Sequence, residues 1–207
     1  MDLLQCKTDE FLDRLAARAP TPGGGSALAL SAALGASLAR MVVAYSLHDR
    51  LDPSAKTALT ELAESLGVCD QLLRALVSRD AEAYAAWQAA RKLEKSEPGR
   101  HSETQRTVLA AIAVPIEIAT VCGQILEKLK DRKELLNRFL LSDLRIAAGL
   151  LHAATAGSEP LVLVNVRELD DPRLRERILG ELRQTLIKCD ALAEVLDAYG
   201  GQYTSPT

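Results

Sequence analysis

The sequence predicts an all-α bundle of long helices in a single domain. Alanine and leucine dominate, β-branched runs are few, and aromatic residues make up 3% of the chain. This composition favours helix over strand. The length of 207 residues suits one domain, since a typical domain has about 150 residues, and no long linker interrupts the chain. We therefore treat residues 1–207 as one helical domain.

Proline and glycine divide the chain into helical segments. Residues 19–25 break it first, and a second break is predicted at residues 157–160. Asp52 and Asp171 each precede a proline, which is typical of an N-cap followed by proline at the first helical position. The predicted helices cover residues 8–18, 24–47, 53–92, 103–130, 133–156 and 172–199.

The apolar patterning refines this prediction. Residues 161–166 are the only stretch that resembles a strand, and residues 93–101 form a polar loop. Residues 26–39 are small on every face and residues 108–118 are apolar nearly all round, so both helices are expected to be buried, the second with a kink at Pro115. The apolar surface of these helices is larger than one short bundle can bury. We therefore expect a homodimer or a larger homo-oligomer.

The charge balance argues against several classes of partner. Lys and Arg total 25 and Asp and Glu total 28, for a net charge of −3, so nucleic acid is not expected to bind. The longest uncharged stretch, residues 19–39, is too rich in Ala, Gly and Ser for a membrane-spanning helix. No signal-type run follows the first residues. We expect a cytoplasmic protein that does not bind membranes.

Cysteine and histidine spacing indicates neither a metal site nor a disulfide framework. The three histidines are scattered, and the cysteines lie dozens of residues apart without a Cys-x-x-Cys pair. We expect the cysteines to be buried as small apolar side chains, and no metal is expected. The cysteines are Cys6, Cys69, Cys122 and Cys189.

The first candidate site is the glycine-rich entry to the second helix. Pro22, Gly23, Gly24, Gly25 and Ser26 lead directly into this helix, whose free N–H groups and dipole favour an anion or a polarised oxygen. We expect Gly24 and Gly25 to tolerate side chains poorly, because such a helix start needs open N–H groups and backbone angles that glycine adopts freely. Alternatively, the glycines only permit a tight chain reversal.

The second candidate site is a stripe on the long third helix. Asp80, Tyr84, Trp87 and Arg91 follow i, i+4, i+7, i+11 spacing, which places them on one helical face. Such a face can stack a planar heterocycle, with Asp80 hydrogen-bonding to it or exchanging protons with it. Alternatively, the two aromatic residues belong to the core and the two charged residues lie at its solvated ends.

Two further carboxylates lie in apolar surroundings. Ser142 and Asp143 interrupt an apolar helix, either as a site or as a solvated stripe. Glu117 lies between aliphatic residues beside Pro115. A buried Glu117 would have a raised pKa, as suits a general acid, whereas at the rim it would pair with Lys or Arg.

Several of these motifs together resemble the cyclodeaminase/cyclohydrolase family. That family comprises the cyclodeaminase part of formiminotransferase-cyclodeaminase and the stand-alone bacterial methenyltetrahydrofolate cyclohydrolases. The resemblance covers about residues 20–171 and implies an all-α fold, an oligomer and a tetrahydrofolate-binding groove between long helices. The motifs are Thr21-Pro22-Gly23-Gly24-Gly25-Ser26, Asp80-Ala81-Glu82-Ala83-Tyr84, Lys92 with Lys95, Val114-Pro115-Ile116-Glu117, and Ser142-Asp143.

The resemblance implies chemistry on the one-carbon unit between N5 and N10 of a tetrahydrofolate derivative, without a metal. Asp80 would hold or shuttle a proton, and Asp143 and Glu117 are the other candidate catalytic residues. Arg91, Lys92 and Lys95 would meet the glutamate tail. The other candidate substrate-binding residues are Pro22, Gly23, Gly24, Gly25, Ser26, Tyr84, Ser142 and Asn165.

The sequence also departs from the family's pattern. Asn137 is followed by Arg138-Phe139-Leu140-Leu141, where the family carries polar residues, and the stretch that contains Asn165 matches only in part. The alternative to an enzyme is therefore a folate-binding or oligomeric scaffold protein of the same fold with weakened or lost catalysis. The residues leave open the choice between ammonia release and hydrolysis.

Overall fold

The computed structural model describes residues 3–94 and 96–201, and the regular structure in this part of the chain is entirely helical. The all-α fold class is therefore confirmed. Three short 3₁₀ turns cover Leu3–Gln5, Lys133–Leu135 and Arg138–Leu140. The α-helices among the described residues are α1 (Thr8–Ala16), α2 (Gly24–Ser46), α3 (Pro53–Lys92), α4 (Arg100–Arg132), α5 (Leu141–Val166) and α6 (Pro172–Gly201).

The predicted N-caps of α3 and α6 are confirmed. The Asp52 side chain accepts a hydrogen bond of 3.0 Å from the Ala55 N–H. The Asp171 side chain accepts bonds from the N–H groups of Arg173, at 2.9 Å, and Leu174, at 3.3 Å. Each cap satisfies N–H groups that the first helical turn leaves free, so these two helices begin where the sequence predicts.

The predicted break at residues 157–160 and the possible strand at residues 161–166 are both wrong, because α5 continues through them. Gly157 provides a close contact rather than a break, since a Cβ atom there would lie 2.6 Å from Leu28 Cδ2. Burial of one continuous face outweighs the local cost of Pro160 within the helix. That face includes Ala154, Thr155, Ser158, Val162 and Val166.

The helix predicted over residues 133–156 begins later than expected, because the two later 3₁₀ turns precede α5. Asn137 lies between these turns. Its backbone N–H donates to the Ser46 hydroxyl at 2.8 Å, and its side chain accepts from the Phe139 N–H at 3.0 Å. Asn137 thus ties the start of α5 to the end of α2.

The helices pack against one another in a bundle. α2 lies against α3 and α5, while α4 contacts α3, α5 and α6. Apolar side chains of α2 to α5 form most of the main core. A smaller core cluster lies between the ends of α3 and α5 and the facing parts of α4 and α6. It consists of Trp87, Val108, Ile112, Ala119, Val162, Val166, Leu169, Ile178 and Leu182.

The two helices expected to be buried on all sides each leave part of their surface exposed. Leu34 and Tyr45 of α2 and Leu109 of α4 are exposed. These two helices therefore carry more apolar surface than packing within this one chain buries. Three of the four cysteines, Cys69, Cys122 and Cys189, are buried as predicted, while Cys6 is half-buried.

A buried carboxylate fixes α2 against α3. Asp70 of α3 is 1% exposed and accepts hydrogen bonds from the guanidinium groups of Arg40 and Arg74. The Ser37 hydroxyl also donates to Asp70, at 3.2 Å, and accepts from Arg74, at 2.9 Å. Both guanidinium groups remain half exposed. The pairing satisfies a charge that would be costly to bury alone.

Three helical stretches are long and apolar enough, by length and composition, to cross a membrane: Gly24–Ser46, Arg100–Leu135 and Arg138–Val166. Within the bundle, 44%, 56% and 39% of their most apolar windows are buried, in the same order. The expectation that the protein does not bind membranes therefore stays a prediction.

An added side chain should have opposite effects on stability at two helical glycines. Gly35 lies where α2 approaches α5 closely, whereas Gly67 of α3 faces open space. A Cβ atom at Gly35 would lie 3.0 Å from Leu151 Cγ and 3.1 Å from the Ala147 carbonyl oxygen, whereas nothing lies within 4 Å of one at Gly67. Gly35→Val should lower the free energy of unfolding by about 1–3 kcal/mol through overpacking. Gly67→Ala should raise it by up to about 1 kcal/mol through helix propensity.

Urea denaturation followed by far-UV circular dichroism, at one fixed protein concentration, measures both effects. Two variants that are equally stable would contradict the described packing of α2 on α5.

Candidate functional site

A cavity of about 510 Å³ opens where four helices meet. Its walls are the loop and first turn of α2, the last third of α3, the middle of α4 and the last turns of α5. Its volume lies within the roughly 300–1,000 Å³ typical of small-molecule sites. The lining residues are Pro20, Thr21, Gly23, Gly24, Gly25, Asp80, Tyr84, Trp87, Gln88, Arg91, Ala111, Pro115, Leu161, Val164 and Asn165.

The predicted stripe on α3 forms one wall of this cavity. Tyr84 and Trp87 meet edge to face, with ring centroids 6.0 Å apart and an interplanar angle of 67°. The guanidinium carbon of Arg91 lies 4.9 Å from the centroid of the Trp87 ring. Gln88 donates to the Tyr84 hydroxyl at 3.1 Å. The prediction that Asp80, Tyr84, Trp87 and Arg91 share a face is confirmed.

Trp87 belongs to the core and to the cavity at once. Its side chain is 8% exposed and packs in the smaller core cluster, as the alternative interpretation of the stripe expects, yet it also lines the cavity. Its indole Nε1 is buried without a hydrogen-bond partner among the described residues. Core packing on one side therefore holds an aromatic wall in place on the other.

Asp80 is bound to the first turn of α2. Its Oδ2 atom accepts from the Ser26 N–H at 2.8 Å and from the Ser26 hydroxyl at 3.0 Å. Burial raises the pKa of the Asp80 carboxyl above its usual range, and the bonds from Ser26 partly oppose this. Oδ1 has no hydrogen-bond partner within residues 3–94 and 96–201. It is the oxygen left for a bound molecule.

A shallower depression of about 380 Å³ adjoins the cavity. It shares Pro20, Thr21, Tyr84 and Gln88 with the cavity and ends at Lys92. Arg91 therefore lies in the cavity, and the exposed Lys92 lies in the adjoining depression. Lys95, which the sequence analysis also assigned to this region, lies outside the described residues.

Two of the residues predicted for the glycine-rich entry do not line the cavity. Pro22 and Ser26 are buried, and Ser26 contacts Asp80 rather than open space. Gly23, Gly24, Gly25 and Asn165 do line the cavity, and their roles in substrate binding stay predictions.

Glu117 does not line the cavity. Its carboxylate accepts from the Arg79 guanidinium at 2.9 Å, and its side chain is 30% exposed. This is the rim position paired with an arginine that the sequence analysis gave as the alternative to a buried general acid. A catalytic role for Glu117 stays a prediction that this geometry does not support.

Ser142 and Asp143 lie in the first turn of α5, whereas the cavity contacts the last turns of this helix through Leu161 and Val164. At 1.5 Å per residue, Ser142 and Leu161 are about 28 Å apart along the axis. The pair therefore does not reach the cavity of its own chain, and its role stays a prediction.

Sequence reasoning missed several lining residues. Gln88 follows Tyr84 by four residues, so the helical period that identified the stripe predicts Gln88 as well. Leu161 and Val164 were hidden by the expectation of a strand over residues 161–166. Pro115 was noted as a possible kink and as part of a family motif, but not as a residue that lines a cavity.

Another cavity, of about 610 Å³, lies between α5 and α6. Four of its lining side chains form ion pairs, His152 with Asp190 and Arg145 with Asp197, both at 2.8 Å. It contains none of the residues singled out from the sequence. In the described part of the chain, no group of three His, Cys, Asp or Glu side chains suits a metal ion.

Comparisons with known proteins agree with the family resemblance. A sequence model described as formiminotransferase-cyclodeaminase matches residues 7–184. A methenyltetrahydrofolate cyclohydrolase from Methylorubrum extorquens is 30% identical over 190 residues, which cover 90% of this chain and 91% of that protein.

A formimidoyltransferase-cyclodeaminase from Rattus norvegicus is 32% identical over 179 residues, which are 84% of this chain but 33% of that protein. The chain thus spans about one third of the rat protein. A solved structure of formiminotetrahydrofolate cyclodeaminase from Thermotoga maritima has a TM-score of 0.88 at 25% identity, over 97% of this chain and 98% of that one. The resemblance found in the sequence is confirmed.

Proposed function

Because the chain belongs to the formiminotransferase-cyclodeaminase family, we propose that it is an enzyme that interconverts one-carbon derivatives of tetrahydrofolate. It acts as a 5-formiminotetrahydrofolate cyclodeaminase or as a 5,10-methenyltetrahydrofolate cyclohydrolase. The observation that carries the proposal is the Asp80 carboxylate, which lies beside the aromatic rings of Tyr84 and Trp87 in a cavity of small-molecule size.

The cavity suits a flat heterocycle with an anionic tail. The ring of Tyr84 offers a surface on which a pterin stacks, and Asn165 of α5 also lines the cavity and offers hydrogen bonds. Arg91 and Lys92 supply positive charge for the carboxylates of the glutamate tail, and we propose that Lys95 contributes in the same way. The adjoining depression past Tyr84 gives such a tail a path out of the cavity.

Both reactions need one group that accepts a proton and returns it. In the deaminase, N10 attacks the formimino carbon and loses a proton, and the C–N bond to ammonia breaks as that nitrogen is protonated. In the hydrolase, water attacks the methenyl carbon and loses a proton, the ring C–N bond breaks with protonation of the nitrogen, and the remaining hydroxyl proton is released to solvent as the formyl C=O forms. Asp80 accepts the first proton and donates it in the second step. A carboxyl with a raised pKa suits both steps.

The two activities are distinguished with purified protein and two substrates. Methenyltetrahydrofolate and 5-formiminotetrahydrofolate are added separately, and the methenyl absorbance band is followed together with ammonia. The band disappears for a cyclohydrolase, and it appears with ammonia for a cyclodeaminase. Turnover of neither substrate would contradict the proposal and favour the scaffold alternative. Fluorescence of Trp87, the chain's one tryptophan, reports folate binding independently.

Asp80→Asn should lower turnover by about 10²-fold to 10⁴-fold, because asparagine preserves size and hydrogen bonding but cannot exchange the proton. The melting temperature and the Trp87 fluorescence titration should stay close to the parent values. Glu82→Gln, an exposed residue on the same helix, is the matched control and should keep full activity. Full activity of Asp80→Asn would remove Asp80 from the mechanism and leave Asp143 and Glu117.

We further propose that a second copy of the chain covers an apolar face of α2 and α5. On α2, Leu34, Leu38, Met41 and Tyr45 follow i, i+4, i+7, i+11 spacing, and Leu34 and Tyr45 are 56% and 66% exposed. α5 packs beside α2 and adds Ile146, which is 56% exposed. An apolar face of this kind on a folded chain favours association.

A Leu34→Glu, Ile146→Glu double variant should convert the protein to monomers, because it places charge on both helices of this face. Sedimentation velocity measures the change, and far-UV circular dichroism checks that the helices persist. Val68→Glu changes an exposed apolar residue of α3 and should leave the assembly intact. A monomeric parent protein, or a double variant that still assembles, would contradict the proposed interface.

A role for Asp143 at the cavity requires this second copy. If the two-fold axis crosses α2 and α5, Asp143 of the partner subunit lies near the cavity. Asp80→Asn and Asp143→Asn would each be inactive alone, and mixing them after dissociation should restore activity, because a mixed dimer has one site with both carboxylates. Full activity of Asp143→Asn alone would exclude Asp143 from catalysis.

A further inference from the structure

The start of α2 is occupied by a side chain of the protein itself. From the sequence, its free N–H groups were expected to bind a polar edge of the substrate. Instead, Asp80 of α3 accepts from both the N–H and the hydroxyl of Ser26. Ser26 is fully buried, so it reaches the cavity only through Asp80.

The closeness of the Asp80 carboxylate explains why residue 25 is a glycine. A Cβ atom at Gly25 would lie 1.9 Å from Asp80 Oδ1 and 2.4 Å from its Cγ, so any side chain at residue 25 requires the Asp80 carboxylate to move. A Cβ atom at Gly24 would lie 3.6 Å from Leu161 Cδ2, an ordinary contact. The expected need for glycine-only backbone angles is wrong here, because Gly99 alone has a positive φ among the described residues.

We propose that Gly25 and Ser26 are positioning residues, which hold Asp80 Oδ2 on the first turn of α2, leave Oδ1 to the substrate and set the proton affinity of the carboxyl. This inference rests on the proposed function for its catalytic consequence. The bond geometry itself does not depend on the identity of the substrate.

The arrangement balances two opposing effects on the carboxyl. Burial disfavours its charged form, whereas the two donors of Ser26 and the positive end of α2 favour that form. The other titratable groups that line the cavity, within the described ranges, are Tyr84 and Arg91 on α3. The α2, α4 and α5 walls contribute no charged side chain there. Ser26 is therefore the nearest group that adjusts the proton affinity of Asp80.

The first test removes one donor. Ser26→Ala loses the hydroxyl but keeps the backbone N–H, so the pKa of Asp80 should rise by about one unit. Because Asp80 must be ionised to accept the first proton, the acid limb of the kcat–pH profile should move to higher pH by the same amount, with KM unchanged. Ser31→Ala, on the same helix, is the matched control. A lower kcat at every pH without movement of the limb would indicate a merely structural role and overturn the proposal.

A direct titration separates this inference from the proposed function. Carbon-13 NMR of the Asp80 carboxyl, assigned by comparison with Asp80→Asn, should show a higher midpoint in Ser26→Ala than in the parent protein. This holds even if the protein turns over neither folate. An unchanged midpoint would overturn the positioning role, whereas a shifted midpoint without turnover would contradict only the proposed function.

The glycines supply the second test. Gly25→Ala should lower kcat by about as much as removing the proton-transfer group, on the order of 10²-fold to 10⁴-fold, because the added methyl displaces Asp80. Gly67→Ala is the matched control, because nothing lies within 4 Å of an added Cβ atom there and Gly67 does not line the cavity. This variant should stay near the parent kcat. If Gly25→Ala does not fold, the Ser26→Ala titration decides the proposal. Equal activity of the two glycine variants would overturn the steric part of the argument.

Discussion

The candidate site depends on one contact, the carboxylate of Asp80 on the first turn of α2. It joins two helices through residues 54 positions apart, satisfies an N–H group that the helix start would otherwise leave free, and brings a carboxylate to the cavity. Because the approach is so close, a side chain at residue 25 would displace the Asp80 carboxylate, and Ser26 is buried. The glycine-rich entry therefore accommodates an acidic residue of the same protein rather than an anionic ligand.

The rest of the site follows from the length and rigidity of α3. A single helix carries Asp80, Tyr84, Trp87 and Arg91 in one line, so the distance from the carboxylate to the aromatic wall and to the cation is fixed by the helical repeat. The smaller core cluster holds Trp87 from behind, and it includes side chains of α4, α5 and α6. Stability and site geometry thus share the same residues.

The sequence predicts much of this because local rules govern it. Aspartate followed by proline marks the starts of α3 and α6, and the helical period places the α3 stripe on one face. The course of α5 was missed, because burial of a continuous face overrode the local signals of Gly157 and Pro160. The bond between Ser26 and Asp80 is beyond local rules, since nothing near either residue specifies a partner on another helix. Both motifs were recognised, but their contact was not.

The proposed assembly is based on the apolar faces that a single chain leaves exposed. α2 and α5 are more apolar than their packing within one chain requires, and they carry the cavity at one end and Asp143 at the other. The central claim does not depend on this assembly, because Asp80, Tyr84, Trp87, Arg91 and Asn165 come from one chain.

The most direct test of that claim is a crystal structure with a stable tetrahydrofolate analogue bound. The account predicts the pterin against Tyr84, with Asp80 Oδ1 within hydrogen-bond reach, about 2.6–3.2 Å, of the atom that exchanges the proton, and with Oδ2 still bound to Ser26. An analogue bound in the cavity between α5 and α6, or one bound with Asp80 turned away, would contradict it.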